Sequence, residues 1–168
     1  MIAHEMKRTL HEVIIDPNTI ERTESAEFRK SKARLKEDGH YFCYICGTTE
    51  DLQSHHQAEW MFSSIINFDK LKTFVEEWDI YGYGRLLKNQ PLTTVDDVRC
   101  LVCLCQSHHT GVDHEDGGSG TGIHDMTFPS WIMQKLAKDN ENPVPECGET
   151  AEKVLKDIES APCGDTPQ

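Results

Sequence analysis

The chain of 168 residues predicts a small α+β fold stapled by zinc, and three observations carry that prediction. Cys43-Tyr-Ile-Cys46-Gly47 is answered far downstream by a second Cys/His cluster running from Cys100 to His109. Short β-like runs alternate with stretches of helical periodicity. The hydrophobic fraction is 37% and the mean hydropathy −0.58, so the apolar core is modest and gains from a metal staple. The length suits one domain with extensions. The boundaries expected are an N-terminal helical extension over 1–40, a zinc-stapled domain over 41–138 and an acidic polar tail over 139–168.

Each element follows from local pattern. Residues 1–15 are ambiguous, and Asp16-Pro17 offers a helix start. Ala26, Phe28, Ala33 and Leu35 form an apolar stripe that Gly39 ends. Lys30, Lys32, Arg34 and Lys36 beside it read as a solvated face, with phosphate contact as the alternative. Tyr41–Gly47 reads as a short strand into a metal knuckle, and Leu52–His56 as another strand. Glu59–Trp78 reads as helical in two pieces broken at Asn67-Phe68-Asp69. Leu71, Phe74, Val75 and Trp78 repeat at i, i+3, i+4 and i+7, the spacing of a core face. Tyr81-Gly-Tyr-Gly84 is a loop. Val98–Leu104 is apolar and β-like, Asp113–Gly122 is a Gly-rich acidic loop, and Phe128–Leu136 is helical. Pro143, Pro145, Pro162 and Pro167 mark the tail, with one short acidic helix expected over 149–159.

Composition excludes several classes. No run of about 18 apolar residues is present, so no membrane helix is expected. The N-terminal MIAHEMKRTLHEV lacks the apolar stretch of a signal peptide, which points to the cytoplasm of a bacterium or a phage-infected cell. Seven cysteines in that setting favour metal over disulfides. The net charge of −12 argues against tight non-specific nucleic-acid binding. The acidity is uneven, however: residues 1–40 carry eight Lys/Arg against eight Asp/Glu, and 141–168 two against seven. The acidic tail is therefore a candidate contact for a basic protein partner. Gly117–Gly122 lacks the Lys-Ser/Thr of a phosphate loop, and no Gly-x-Ser-x-Gly is present, so neither nucleotide-triphosphatase nor serine-hydrolase chemistry has support.

The strongest motif is the knuckle. Cys-x-x-Cys presents two thiolates from one turn, and the following Gly permits the backbone geometry. Tetrahedral zinc needs two more ligands, and two pairs offer them. Cys105-Gln-Ser-His108 completes a site of three thiolates and one imidazole. Cys100-Leu-Val-Cys103 completes a site of four thiolates. Leu101 and Leu104 as apolar strand positions, and a further histidine just after His108, favour the first pair. Cys100 and Cys103 then read as small buried hydrophobes. Cys147 and Cys163 in the tail lack partners.

Two adjacent histidine pairs, His55-His56 and His108-His109, flank the knuckle, and His124 follows. The order Cys43-x-x-Cys46-Gly47, Leu52-Gln-Ser-His55-His56, then Leu104-Cys105-Gln-Ser-His108-His109 over about residues 41–137 resembles the HNH nuclease family, whose usual run is close to CxxC…(D/H)H…NLxxLCxxCHxxxH. The resemblance implies a ββα-metal (His-Me finger) core with inserted helices. It implies that Cys43, Cys46, Cys105 and His108 hold structural Zn²⁺. His55 and His109 match ligands of a catalytic divalent cation (Mg²⁺, Mn²⁺, Ni²⁺ or Zn²⁺), and His56 matches the general base that activates water. For the third ligand, family spacing points to Asp113, with His114 one residue on. Gly122-Ile-His124 resembles the close of the site in some members, which favours His124.

Two departures accompany the resemblance. Cys100 stands where the family has an asparagine that orients the loop bearing the base, and Cys is a poor substitute. The segment between the motifs, Gln57–Asp97, is long and adds helices. The activity implied is phosphodiester hydrolysis in DNA. A neutral imidazole, with an ordinary pKa near about 6.5, suits both the base and the ligand roles at physiological pH. The alternative class is a zinc-binding interaction module with weakened catalysis.

Overall fold

A computed structural model describes residues 23–111, 122–126, 130–142, 150, 152–153 and 156. The expectations at Asp16-Pro17, at Asp113 and His114, and for most of the tail lie outside these residues. The architecture is α+β: a two-stranded antiparallel sheet with helices packed around it. Strand β1, Leu52–His56, pairs with β2, Leu101–Cys105, in the register Leu52↔Cys105, Ser54↔Cys103, His56↔Leu101. Every residue of β2 is buried, as expected for a run of Leu, Val and Cys covered on both faces. Val98–Cys100, expected as part of this strand, forms a 3₁₀ turn instead. The Asp97 carboxylate accepts from the Arg99 N–H and so caps a helical turn there.

Helix α1, Ala26–Glu37, starts where the Ser25 hydroxyl accepts from the Phe28 N–H and ends at Asp38, before Gly39. Phe28, Ser31 and Leu35 face inward, and Phe28 and Leu35 pack with Tyr83, Val98 and Leu101. The basic residues beside the stripe have local partners. Lys30 pairs with Glu27, Lys32 with Glu24 and Arg34 with Asp38, while Lys36 lies over the Tyr41 ring.

The segment between the strands builds the main core. A 3₁₀ turn over Trp60–Ile65 leads to α2, Phe68–Glu77. The expected break falls at Asn67, whose side-chain oxygen accepts from the N–H groups of Asp69 and Lys70. Leu71, Phe74 and Val75 pack against Met133 and Leu136 of α6, Ser130–Leu136. Trp78 departs from the expected core face: it is 57% exposed, and Trp131 of α6 is 54% exposed. The cause is backbone. Trp78 is the residue after the last helical turn, with φ −105° and ψ 55°, so its side chain leaves the stripe its spacing predicts. The two indoles stand 6.3 Å apart instead.

Tyr81–Gly84, expected as a loop, runs into one helical turn, α3, Tyr83–Leu86, because the Asp79 carboxylate accepts from the Gly84 and Arg85 N–H groups. Arg99 ties the segment to the sheet. It is buried and paired with Asp97, and it donates to the carbonyls of Leu87, Gln90 and Pro91. Full satisfaction of its donors is what makes this burial tolerable. After β2 come two single turns, α4, Gln106–His109, and α5, Ile123–Met126. Among the described residues no helix is long and apolar enough to cross a membrane.

Candidate metal centres

Tyr41–Gly47 forms a turn where a strand was expected. Two thiolates three residues apart can aim at one point only if the backbone curls. The curl is closed by the Cys43 N–H donating to Thr48 O and the Gly47 N–H donating to Cys43 O. Gly47, at φ +75°, takes the left-handed conformation this requires. The Tyr44 N–H donates to Cys103 O and docks the turn on β2.

This docking brings Cys43, Cys46, Cys105 and His108 together as a group able to hold a metal ion. Cys46 Sγ lies 3.9 Å from Cys105 Sγ, and His108 Nδ1 lies 3.6 Å from Cys43 Sγ and 3.2 Å from Cys105 Sγ. A tetrahedral zinc with bonds of about 2.3 Å to sulfur and 2.0–2.1 Å to nitrogen sets S···S at about 3.8 Å and S···N at about 3.5 Å. The donor set therefore fits zinc in both chemistry and spacing. Burial opposes ionisation of the Cys43 thiol. The N–H groups of Cys105, Cys46 and Ile45 aimed at its sulfur outweigh that and bring its pKa down to about 6. Cys100 and Cys103 take no part. Both are fully buried, Cys100 packs in the main core, and burial pushes both thiols up, Cys103 to about 11.

The second group is His55, His109 and His124. His55 comes from β1, His109 from the end of α4 and His124 from α5. His124 Nε2 is 3.0 Å from His109 Nε2. The His55 ring lies 5.2 Å from that of His109 and 5.0 Å from that of His124. Gln53 Oε1 sits 2.5 Å from His109 Nδ1, which gives Nδ1 the proton and leaves Nε2 as a donor atom for a cation. His55 Nδ1 is buried with no hydrogen-bond partner, the orphaned atom expected of a ligand position. Burial first, and then the neighbouring imidazoles, lower the pKa of His55 to about 3 and that of His109 to about 4. Both rings are therefore neutral at pH 7, the state that binds cations.

Gly122 makes the third member reachable. A Cβ there would lie 2.2 Å from Gly111 N, 2.6 Å from Thr110 C and 2.8 Å from His109 O. Only glycine allows the start of α5 to press on the backbone that follows His109.

His56 is not one of the three clustered imidazoles. It is 3% exposed, stacked on Phe28 at 4.9 Å, with Nε2 2.7 Å from Asp96 Oδ1. Asp96 is itself held, its Oδ2 accepting from the Ser25 hydroxyl and its carbonyl from Ser31. Helix α1 thus reaches the site through Asp96 and Phe28.

Three residues given no site role in the sequence reading line these centres: Asp96, Gln53 and Glu59. Glu59 Oε1 lies 4.0 Å from His55 Nδ1 and 3.9 Å from His124 Nε2. Position i+4 from His55 is the one sequence signal for Glu59, while Asp96 carries none. No family model matches the chain, and no curated protein or solved structure matches it either.

Proposed function

We propose that the chain is a divalent-metal-dependent nuclease of the HNH kind that hydrolyses phosphodiester bonds in DNA. The observation that carries this reading is the convergence of His55, His109 and His124, three imidazoles from separate elements. The order β1, β2, α4 beside a Cys/His knuckle supports the ββα-metal reading. Zinc on Cys43, Cys46, Cys105 and His108 is structural in this reading, since four protein ligands close its coordination sphere.

Each residue then has a task. Cys105 and His108 would hold zinc at the start of α4 and so position His109, which follows them. Gln53 holds the His109 ring in the tautomer that leaves Nε2 available. His55, His109 and His124 would hold the divalent ion, which would supply neutralisation of charge on the phosphate and on the leaving oxygen. His56 is the general base: it takes a proton from the attacking water, and the Asp96 carboxylate orients the ring and stabilises the imidazolium formed.

The test is nicking of supercoiled plasmid by the zinc-loaded chain with Mg²⁺, Mn²⁺, Ni²⁺ or Zn²⁺ added in turn. Cleavage with at least one of these ions, lost in His55→Ala and His109→Ala, is the expected result. Absence of cleavage with all four overturns the reading.

One observation favours a second reading, a zinc-stapled interaction module that does not cleave. His56 is buried between Phe28 and Asp96, where an imidazole can serve packing alone. In that case His56→Ala lowers stability, and no ion produces nicks.

A further inference from the structure

We propose that the apolar cavity beside the histidine cluster seats one unstacked nucleobase, so that the chain takes single-stranded or locally opened DNA. The identity of the ligand as nucleic acid rests on the nuclease reading, and the proposal names the form of that substrate.

The cavity measures about 140 Å³. An apolar cavity of about 150 Å³ takes up benzene, so this one has room for a single aromatic ring. Trp78 and Trp131 stand in its wall, each more than half exposed, with their rings 6.3 Å apart and inclined at 57°. At that angle the indoles do not stack face to face. Phe74 stacks on Trp78 at 5.7 Å and holds it in place. Two large aromatics held open to water form a surface on which a planar ligand can stack.

Three further observations select a base as that ligand. His55 forms part of the same wall, and so does Ile123, which precedes His124. A ring in the cavity therefore lies against the cluster. Gln57 also lines the cavity, and its side-chain oxygen is buried with no hydrogen-bond partner. Its backbone is fixed just beyond β1, where the Gln57 N–H donates to Cys100 O. A buried acceptor left unpaired is costly, and a ligand N–H relieves that cost. The exocyclic amino group of cytosine is such a donor, whereas thymine has a carbonyl oxygen at that position. Charge points the same way. The chain carries −12, and Lys30, Lys32 and Arg34 of α1 are already paired with carboxylates. Phosphate contacts alone are then a weak source of affinity, while stacking on a base needs no charge. A base stacked and paired in a duplex does not offer its faces, so it must be single-stranded or flipped out to enter.

The experiment measures binding of fluorescein-labelled oligodeoxycytidylate, oligothymidylate, an abasic strand of the same length and a duplex to the zinc-loaded full chain, by anisotropy and by quenching of tryptophan fluorescence. No other divalent ion is added. The variants are Trp78→Ala, Trp131→Ala, Trp131→Phe and Gln57→Leu. Retention of the knuckle zinc and of the far-ultraviolet circular dichroism establishes that each is folded. The parent is expected to bind the cytidylate more tightly than the duplex or the abasic strand. Each Trp→Ala change is expected to weaken it about tenfold, within the range for losing one stacked base, with Trp131→Phe close to the parent. Gln57→Leu is expected to remove the preference for cytidylate over thymidylate. A duplex or abasic strand bound as tightly as the cytidylate, no strand bound at all, or parental affinity in both Trp→Ala variants overturns the proposal. Cytidylate bound no better than thymidylate by the parent overturns the role given to Gln57. Nicking is assayed separately. Single strands held through both tryptophans but cut with none of the four ions sink the nuclease reading alone. Plasmid nicking at the parent rate in both Trp→Ala variants, with no preference for single strands, sinks this proposal alone.

Discussion

His56 Nε2 and Asp96 Oδ1 meet at 2.7 Å although 40 positions separate them in the chain. The pair joins β1 to the segment just before β2. It makes the site depend on a carboxylate that belongs to no motif.

Asp96→Asn preserves shape and removes charge. If His56 is the base, the amide loses the carboxylate's stabilisation of the imidazolium. Nicking should then fall by about 10²–10⁴-fold, the usual weight of general-base catalysis. Zinc content and the affinity of the histidine cluster for Mn²⁺ should not move. Nicking at the parent rate would show that His56 is not acting as a base.

Removing the knuckle's ion should unfold much more than the knuckle. Structural zinc contributes about 10–16 kcal/mol of apparent binding energy in small motifs, comparable with or larger than the stability of a whole domain. Cys46→Ser, or a strong chelator on the parent, is expected to abolish cooperative thermal unfolding. A sharp calorimetric transition surviving complete zinc removal would contradict this.

Acid should weaken the fold when the histidine cluster is metal-free and the knuckle is loaded. His55 and His109 have folded pKa values of about 3 and about 4, below the ordinary 6.5 that they regain on unfolding. The unfolded chain therefore takes up protons first. Stability from these groups is intact above about pH 6.5 and declines as pH falls toward 4, with up to two protons taken up on unfolding. Urea midpoints measured across that window should drop, and saturating Mn²⁺ should flatten the drop. A midpoint independent of pH from 6.5 to 5 would refute it.

Gly122→Ala places a methyl against three backbone atoms at 2.2–2.8 Å. None of these can swing aside as a side chain would, so α5 must shift and carry His124 with it. Mn²⁺ affinity is expected to fall about tenfold, within the range seen when the support of a ligand is disturbed. The knuckle, held by other residues, should keep its zinc.

The parts of the molecule legible in sequence were those whose chemistry forces a spacing. Cys-x-x-Cys before Gly, Cys-x-x-His after an apolar run, and the Gly-Ile-His of the third imidazole all emerge in space as spaced. The choice of Cys105 and His108 over Cys100 and Cys103 was weakly signalled, because alternation in β2 distinguishes little when both faces are covered. Asp96 and Glu59 were illegible for a different reason. Single carboxylates in a long insertion become site residues only through the tertiary path of the chain. Trp78 misled because helical spacing holds only while the helix does, and α2 ends one residue before it.

The knuckle draws its two halves from distant parts of the chain. Cys46 and Cys105 are 59 positions apart, and Cys43 and His108 65. Bringing such distant points together costs chain entropy that grows slowly with separation but is large at the outset. With the ion bound, that ring stays closed in the denatured chain whenever the thiolates keep hold, and the strands begin their search already near one another. Without it, β1 must find β2 by diffusion across the whole insertion, a non-local pairing of the kind that slows folding. Refolding speed should therefore report zinc supply as directly as stability does.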